Sequence, residues 1–198
     1  METFARLKGW LAVAALVWLA GCASTYTLDS TVQSFSHVAT LPQPATYRFE
    51  RLLSQQDLAQ PQLEAFADPA LNAAGLRRDD ASPRYSVQIG ARVAQTLSPW
   101  ADPWGPGWGL GGGWGGRRGG WGFGLHSRYG YEPPWYHREV DVVVRELGSN
   151  RVVYESRAIS DGPYFDSKKV FPAMFTAALQ GFPNPPAGPR RVDVQIPS

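Results

Sequence analysis

The sequence has little of what metal-binding and catalytic proteins usually carry. It contains one cysteine and three histidines in 198 residues, and the histidines (His37, His126 and His137) show no metal-ligand spacing. The serine elbow of hydrolases, the paired-histidine helix of zinc proteases and a cysteine nucleophile motif are all absent. We therefore expect no catalysis, no cofactor and no metal. The single cysteine, Cys22, also excludes an internal disulfide bond.

Charge is equally sparse. Lys, Arg, Asp and Glu make up 18% of the chain, below the usual quarter, and the formal net charge is +2. Proteins that bind nucleic acid normally carry a clear basic excess, which attracts the phosphate backbone. The composition therefore indicates no nucleic-acid partner.

The apolar run near the N-terminus is too short to cross a membrane permanently. Leu11–Ala20 spans ten residues, whereas about 20 are needed to cross the hydrocarbon core. Arg6 and Lys8 precede the run. A short positive segment followed by a short apolar segment is typical of a secretion signal. We predict that residues 1–21 form a signal peptide.

The signal ends in L-A-G-C at 19–22, which resembles the lipobox of bacterial lipoproteins. The resemblance implies cleavage before Cys22, attachment of diacylglycerol to its thiol and acylation of the new N-terminus. Two or more acyl chains hold a protein stably on a bilayer. The next residue is Ala23, not the aspartate that retains such lipoproteins in the inner membrane. The resemblance therefore implies the periplasmic face of the outer membrane, with the membrane itself as a partner.

Hydropathy patterns predict a single folded domain over residues 31–198, behind a lipidated tether at 22–30. Alternating apolar residues indicate strands, and apolar residues at three- and four-residue steps indicate helices. The predicted strands cover 31–35, 46–52, 84–97, 136–147, 151–159 and 192–196, and the predicted helices cover 61–76 and 167–180. Asp68 and Pro69 suit a helix start, so the first helix is expected to divide there.

This order of elements predicts an α+β fold. One-sided alternation implies an antiparallel sheet with one covered face. The expected architecture is a two-layer sandwich, in which a mostly antiparallel sheet of four to six strands carries two helices packed on one face.

Several of these segments together resemble the bacterial lipoproteins that carry domain of unknown function 4136. The resemblance covers about residues 31–183 and rests on Phe35, T-Y-R-F at 46–49, Gly75-Leu76 before Y-S-V-Q-I at 85–89, V-D-V-V-V at 140–144, V-V-Y-E-S-R-A at 152–158 and Phe182-Pro183. Phe49 and Tyr154 stand where tryptophan is expected, and the insertion at 99–135 is longer than a typical hairpin. The family has no assigned activity, so the resemblance implies a fold and a location rather than a reaction.

The insertion at 99–135 is rich in glycine and tryptophan. It holds 13 of the 21 glycines and six of the eight tryptophans, and its 37 residues far exceed an ordinary hairpin connection. The candidate residues for membrane or partner contact are Trp100, Trp104, Trp108, Trp114, Trp121, Arg117 and Arg118. Its glycines also match a nucleotide-binding pattern, but they open no helix, so they predict no cofactor.

Four interpretations of the insertion stay open. It is a flexible low-complexity segment, or its tryptophans lie at the bilayer interface as a second anchor. Alternatively, they stack on a partner such as a glycan or an envelope protein, or they collapse onto the domain's own sheet. The sequence thus predicts a periplasmic lipoprotein with a structural or binding role in the cell envelope. The alternative is a ligand-binding module that holds a glycan or lipid through the insertion.

Overall fold

The computed structural model describes residues 25–57, 59–96, 98–99, 134–163 and 166–197. Within these ranges the chain forms a single β-sheet and two α-helices. The strands are β1 Thr25–Ser36, β2 Thr46–Phe49, β3 Arg77–Arg78, β4 Tyr85–Thr96, β5 Trp135–Glu146, β6 Arg151–Gly162 and β7 Arg190–Pro197. The helices are α1 Gln60–Ala73 and α2 Ser167–Ala178, and a short 3-10 helix covers Leu53–Gln55.

The sheet contains seven strands in the order β3-β2-β4-β5-β6-β1-β7. β4, β5 and β6 are successive antiparallel neighbours, and β1 lies antiparallel between β6 and β7. β2 runs parallel to both β3 and β4. The predicted α+β class is confirmed, whereas the predicted number of four to six strands is wrong. The strand that no pattern could reveal is β3, because it consists of two exposed arginines.

β1 begins earlier than the sequence predicts. Residues 25–30, expected to belong to the tether, pair with β7 from the Thr25–Pro197 pair onward, so the tether prediction is wrong for this stretch. Leu28 and Ser30 are buried on the helix-covered face. Ser30 occupies a position where an apolar residue would be expected, so the apolar alternation is not visible in this stretch. The pairing partner, β7, lies at the other end of the sequence.

Alternation along the strands builds one core between the sheet and the helices. Val87, Ile89, Val140 and Val142 are each no more than 1% exposed, and all four lie on the face that α1 and α2 cover. The helices contribute their own apolar side to the same cluster, through residues that include Ala67, Leu71, Val170, Met174 and Phe175. Burial of this shared apolar surface is the main force that stabilises the sandwich.

Side chains of the sheet bind the last carbonyls of α2. The Tyr154 hydroxyl and Ser156 Oγ both donate to the Ala178 carbonyl oxygen, at 2.8 and 2.7 Å. Arg190 donates to the Gln180 carbonyl oxygen at 2.7 Å. The final carbonyls of a helix have no partner within the helix, so these bonds fix where α2 ends on the sheet.

α1 is continuous through Pro69, so the predicted division of this helix is wrong. Asp68, expected to cap a second helix, instead accepts a hydrogen bond from the Tyr47 hydroxyl of β2. Burial, reinforced by this carboxylate, raises the pKa of Tyr47. One turn earlier, the buried Glu64 accepts two hydrogen bonds from Arg51, at 2.5 and 2.9 Å. Both carboxylates tie α1 to β2 and the chain that follows it.

Candidate functional site

The residues that the sequence singles out lie outside the described residues. These are Cys22, Trp100, Trp104, Trp108, Trp114, Trp121, Arg117 and Arg118. The structure does show the strand ends to which the segments that contain these residues are joined. Cys22 precedes β1, and the Gly/Trp-rich insertion lies between β4 and β5.

Both segments attach to the same end of the sheet. Thr96, the last residue of β4, pairs with Trp135, the first residue of β5, and Tyr136 pairs with Gly162 at the end of β6. β1 runs antiparallel to β6, which ends here. β1 therefore begins at this same end, with Thr25. We call it the proximal end, and the opposite end, which carries the turn between β5 and β6, the distal end.

Only a short length of chain separates Cys22 from the first described residue of β1. It precedes Thr25 by three residues, and an extended chain spans at most roughly 10 Å over that length. Tyr26 and Tyr136 are both partly buried and lie at this end of the sheet, as does Trp135. The proximal end therefore brings together aromatic side chains and the attachment points of both segments.

A buried arginine lies behind these aromatic residues. Arg138 is 1% exposed, its guanidinium lies 4.9 Å from the centre of the Tyr136 ring, and its Nε donates to Ser167 Oγ at 3.3 Å. Burial lowers the pKa of Arg138. The sequence contains a signal for this residue, because Arg138 occupies the same phase of β5 as Val140 and Val142. A charged residue at a position where the strand's alternation calls for an apolar one indicates a buried charge.

The face of the sheet without helices is lined by ion pairs. Arg157 Nε lies 2.9 Å from Asp141 and 3.2 Å from Glu139, and its hydrogen bond to Asp141 raises the pKa of Arg157. His137 Nδ1 lies 2.7 Å from an Asp161 oxygen. Cross-strand pairs of opposite charge are typical of a solvated sheet face.

Neither a cluster of three metal-ligating side chains nor a membrane-spanning helix is found in the described ranges. No group of three or more His, Cys, Asp or Glu side chains in these ranges is placed to hold a metal ion. Among the helices in the same part of the chain, none is long and apolar enough to cross a membrane.

A family model described as a domain of unknown function (DUF4136) matches residues 31–184. The chain belongs to this family. The match begins inside β1 and includes every described element that follows, through α2. The predicted membership of the DUF4136 family is confirmed. The family's description assigns no activity, and no curated protein sequence matches the chain.

The solved structures that are similar to this chain include two PelC dodecamers from Paraburkholderia phytofirmans. One has a TM-score of 0.48 at 11% identity and covers 79% of this chain and 99% of its own. The other, a point variant, has a TM-score of 0.45 at 12% identity, with 76% and 94% covered. A PDZ domain protein from Parabacteroides distasonis has a TM-score of 0.49 at 14% identity and covers 94% of this chain but 42% of its own. TM-scores below 0.5 are too low to indicate a shared function or assembly.

Proposed function

We propose that this protein is a lipoprotein of the periplasmic face of the outer membrane, held by acyl chains on Cys22, with a structural or binding role in the envelope and no catalysis. The observation that carries the proposal is the register of β1. Thr25 lies at the proximal end and follows Cys22 by three residues. An acylated Cys22 would therefore hold the proximal end of the folded domain against the bilayer.

The Gly/Trp-rich insertion is the second part of the proposal. It leaves the sheet at Thr96 and returns at Trp135, so it departs from the end that the lipid would hold. Tryptophan and tyrosine favour the interface between lipid and water, and Tyr26 and Tyr136 lie at the same end. We therefore assign the tryptophans of the insertion a membrane contact beside the lipid.

The alternative is a ligand-binding module. A segment with many indole rings can stack on the faces of sugar rings or pack on acyl chains. In that case the insertion holds a glycan or a lipid, and the acyl chains on Cys22 serve only to place it in the envelope. Both functions use the same residues, so a measurement on the tryptophans separates them.

Labelling with radioactive palmitate tests the anchor. The wild-type protein is expected to take up label and to sediment with the outer membrane, whereas Cys22→Ser is expected to do neither, because the chain has no other cysteine. Ala23→Asp is the matched control, since it should keep the label and move to the inner-membrane fraction. Label on Cys22→Ser, or an unlabelled wild-type protein, contradicts the proposal.

Tryptophan fluorescence tests the insertion. From Cys22 onward every tryptophan lies within 99–135, so the emission of a non-acylated Cys22→Ser protein that begins at residue 22 reports on this segment. We expect a blue shift with vesicles of phosphatidylethanolamine and phosphatidylglycerol. A control in which Trp100, Trp104, Trp108, Trp114 and Trp121 are serine should lose the shift. A shift with peptidoglycan alone favours the ligand-binding module, and no shift with either contradicts both functions.

A further inference from the structure

The second half of β4 forms an open edge of the sheet. β2 pairs with β4 only as far as Val87, and the chain after β2 adds single bonds, from Glu50 N to the Val87 oxygen and from Gln55 Nε2 to the Ile89 oxygen. No described residue pairs with that side of β4 beyond Ile89. We call Ala91–Thr96 the open edge. An unpaired strand edge is a template for another strand.

Three backbone positions of the open edge point away from β5. The N–H and C=O groups of a strand residue point to the same side, and the side alternates from one residue to the next. Because Val87 and Ile89 accept bonds from the β2 side, Ala91, Val93 and Gln95 present their backbone groups to that side as well. These groups match those of an extended chain lying alongside β4.

A groove lies beside the open edge, between β4 and the first turns of the two helices. Its volume is about 280 Å³, and its apolar walls come from Leu63, Phe66, Ala91, Val93 and Phe171. Val93 is 47% exposed, although it lies on the helix-covered face. Side chains that alternate along an added strand would point into this groove at every second position.

Gln60 contributes a buried amide beside the same groove. The residue lines the groove and is 6% exposed, yet its Nε2 has no hydrogen-bond partner among the described residues. A buried amide without a partner is unfavourable, so such groups are normally satisfied in a native protein. Rotation of the amide end for end presents either a donor or an acceptor. It can therefore bind an N–H or a C=O of an incoming backbone.

We propose that the Gln60 groove, defined by Gln60, the five wall residues and the open edge, binds an extended peptide segment of a partner protein by strand addition to β4. An extended peptide satisfies the unpaired backbone groups, fills the apolar walls with alternate side chains and pairs with the Gln60 amide. An acyl chain would fill the walls but leave the polar groups unpaired. The site is independent of the lipid on Cys22, so it goes beyond the function proposed above.

Binding of short peptides to the full chain in a mild detergent tests the proposal. The probes are fluorescein-labelled, end-blocked hexapeptides in which threonine alternates with valine, leucine or phenylalanine. We expect at least one probe to raise fluorescence polarisation and to shift the NMR amide signals of Ala91, Val93 and Gln95. Val93→Pro is expected to weaken binding at least about tenfold, because proline removes the edge N–H. Gln60→Leu leaves the backbone intact and should weaken binding by a similar factor.

Matched controls separate strand addition from other causes. Val93→Ala and Val194→Ala make the same change in β4 and in β7, and only the first should weaken binding. Thermal unfolding of each variant shows whether it is folded. Failure of all probes, or equal affinity for wild type, Val93→Pro and Gln60→Leu, overturns the proposal. So does a shift of the groove signals with phosphatidylglycerol vesicles but with no peptide, which would make it a lipid site. None of these outcomes alters the palmitate labelling of Cys22.

Discussion

Two regions of the sandwich, the C-terminus of α2 at the distal end and the Gln60 groove at the proximal end, differ in how completely their polar and apolar groups are satisfied. At the distal end, Tyr154 and Ser156 bind the last carbonyls of α2, and the β5–β6 turn is held by a 2.7 Å hydrogen bond from Ser149 to Glu146. At the proximal end, Val93 is 47% exposed and Gln60 Nε2 is buried without a partner in the described part of the chain.

This difference indicates that the two regions have different roles. Helix termini and turns that are fully bonded resist local opening, whereas exposed apolar groups and unpaired edges are features of contact surfaces. The bonded C-terminus of α2 therefore helps to hold the fold together, and the Gln60 groove has the features of a contact surface. The following predictions test this contrast, from the largest expected effect to the smallest.

Two phenylalanines of α2, one turn apart, give the strongest test. Phe175 is fully buried, while Phe171, nearer the proximal end, is only partly buried. Phe175→Ala is expected to lower the free energy of unfolding by about 3–5 kcal/mol, and Phe171→Ala by roughly 1–2 kcal/mol, because less apolar surface is lost. Urea unfolding followed by circular dichroism measures both values. Equal losses would remove the contrast between the two ends.

The shared acceptor at the end of α2 gives the second test. Tyr154→Phe and Ser156→Ala each leave the Ala178 carbonyl with one donor, so each should cost no more than about 1 kcal/mol. The double variant leaves that carbonyl buried without either donor and should cost about 2–3 kcal/mol, more than the sum of the single losses. A double-mutant cycle measures the coupling. Strict additivity would show that the two hydroxyls do not share the acceptor.

The Tyr47–Asp68 contact predicts a dependence on alkaline pH. Burial raises the pKa of Tyr47 above its ordinary value of 10.0. The protonated hydroxyl therefore contributes stability that is complete below that pH and is lost as the pH rises further, by at most about 1.4 kcal/mol per pH unit. Urea unfolding between pH 9 and 11 should show the decline, and Tyr47→Phe should make it smaller. Burial also raises the pKa of Tyr85, so some decline remains. An unchanged slope in Tyr47→Phe excludes this contribution.

The parts of the fold that the sequence predicted are those whose cause is local. β4, β5 and β6 alternate apolar and polar residues over much of their length, so the pattern predicted them as strands. The start of β1 and all of β3 depend on partners, β7 and β2 respectively, that lie far away in the sequence. Pro69 predicted a break, but Asp68 is bound by Tyr47 instead of capping a second helix.

Only part of the candidate site could be predicted from the sequence. The lipobox and the tryptophan content are visible in the sequence, because each depends on adjacent residues. The Gln60 groove is not, since Gln60, Val93 and Phe171 come from three separate elements and each is unremarkable in its own segment. Only the fold shows that a buried amide and a strand edge without a partner among the described residues lie beside one groove.

The position of β1 has a mechanical consequence. β1 lies inside the sheet, paired with β7 along Thr25–Val32 and with β6 along Thr31–Ser36. A force that pulls on the chain ahead of Thr25 acts along the strand axis and loads these hydrogen bonds in shear, so many must break together. An edge strand pulled from its end could peel away one bond at a time. The strand order thus makes the domain resist a pull from the side of Cys22, which is the load that the proposed acyl anchor would transmit.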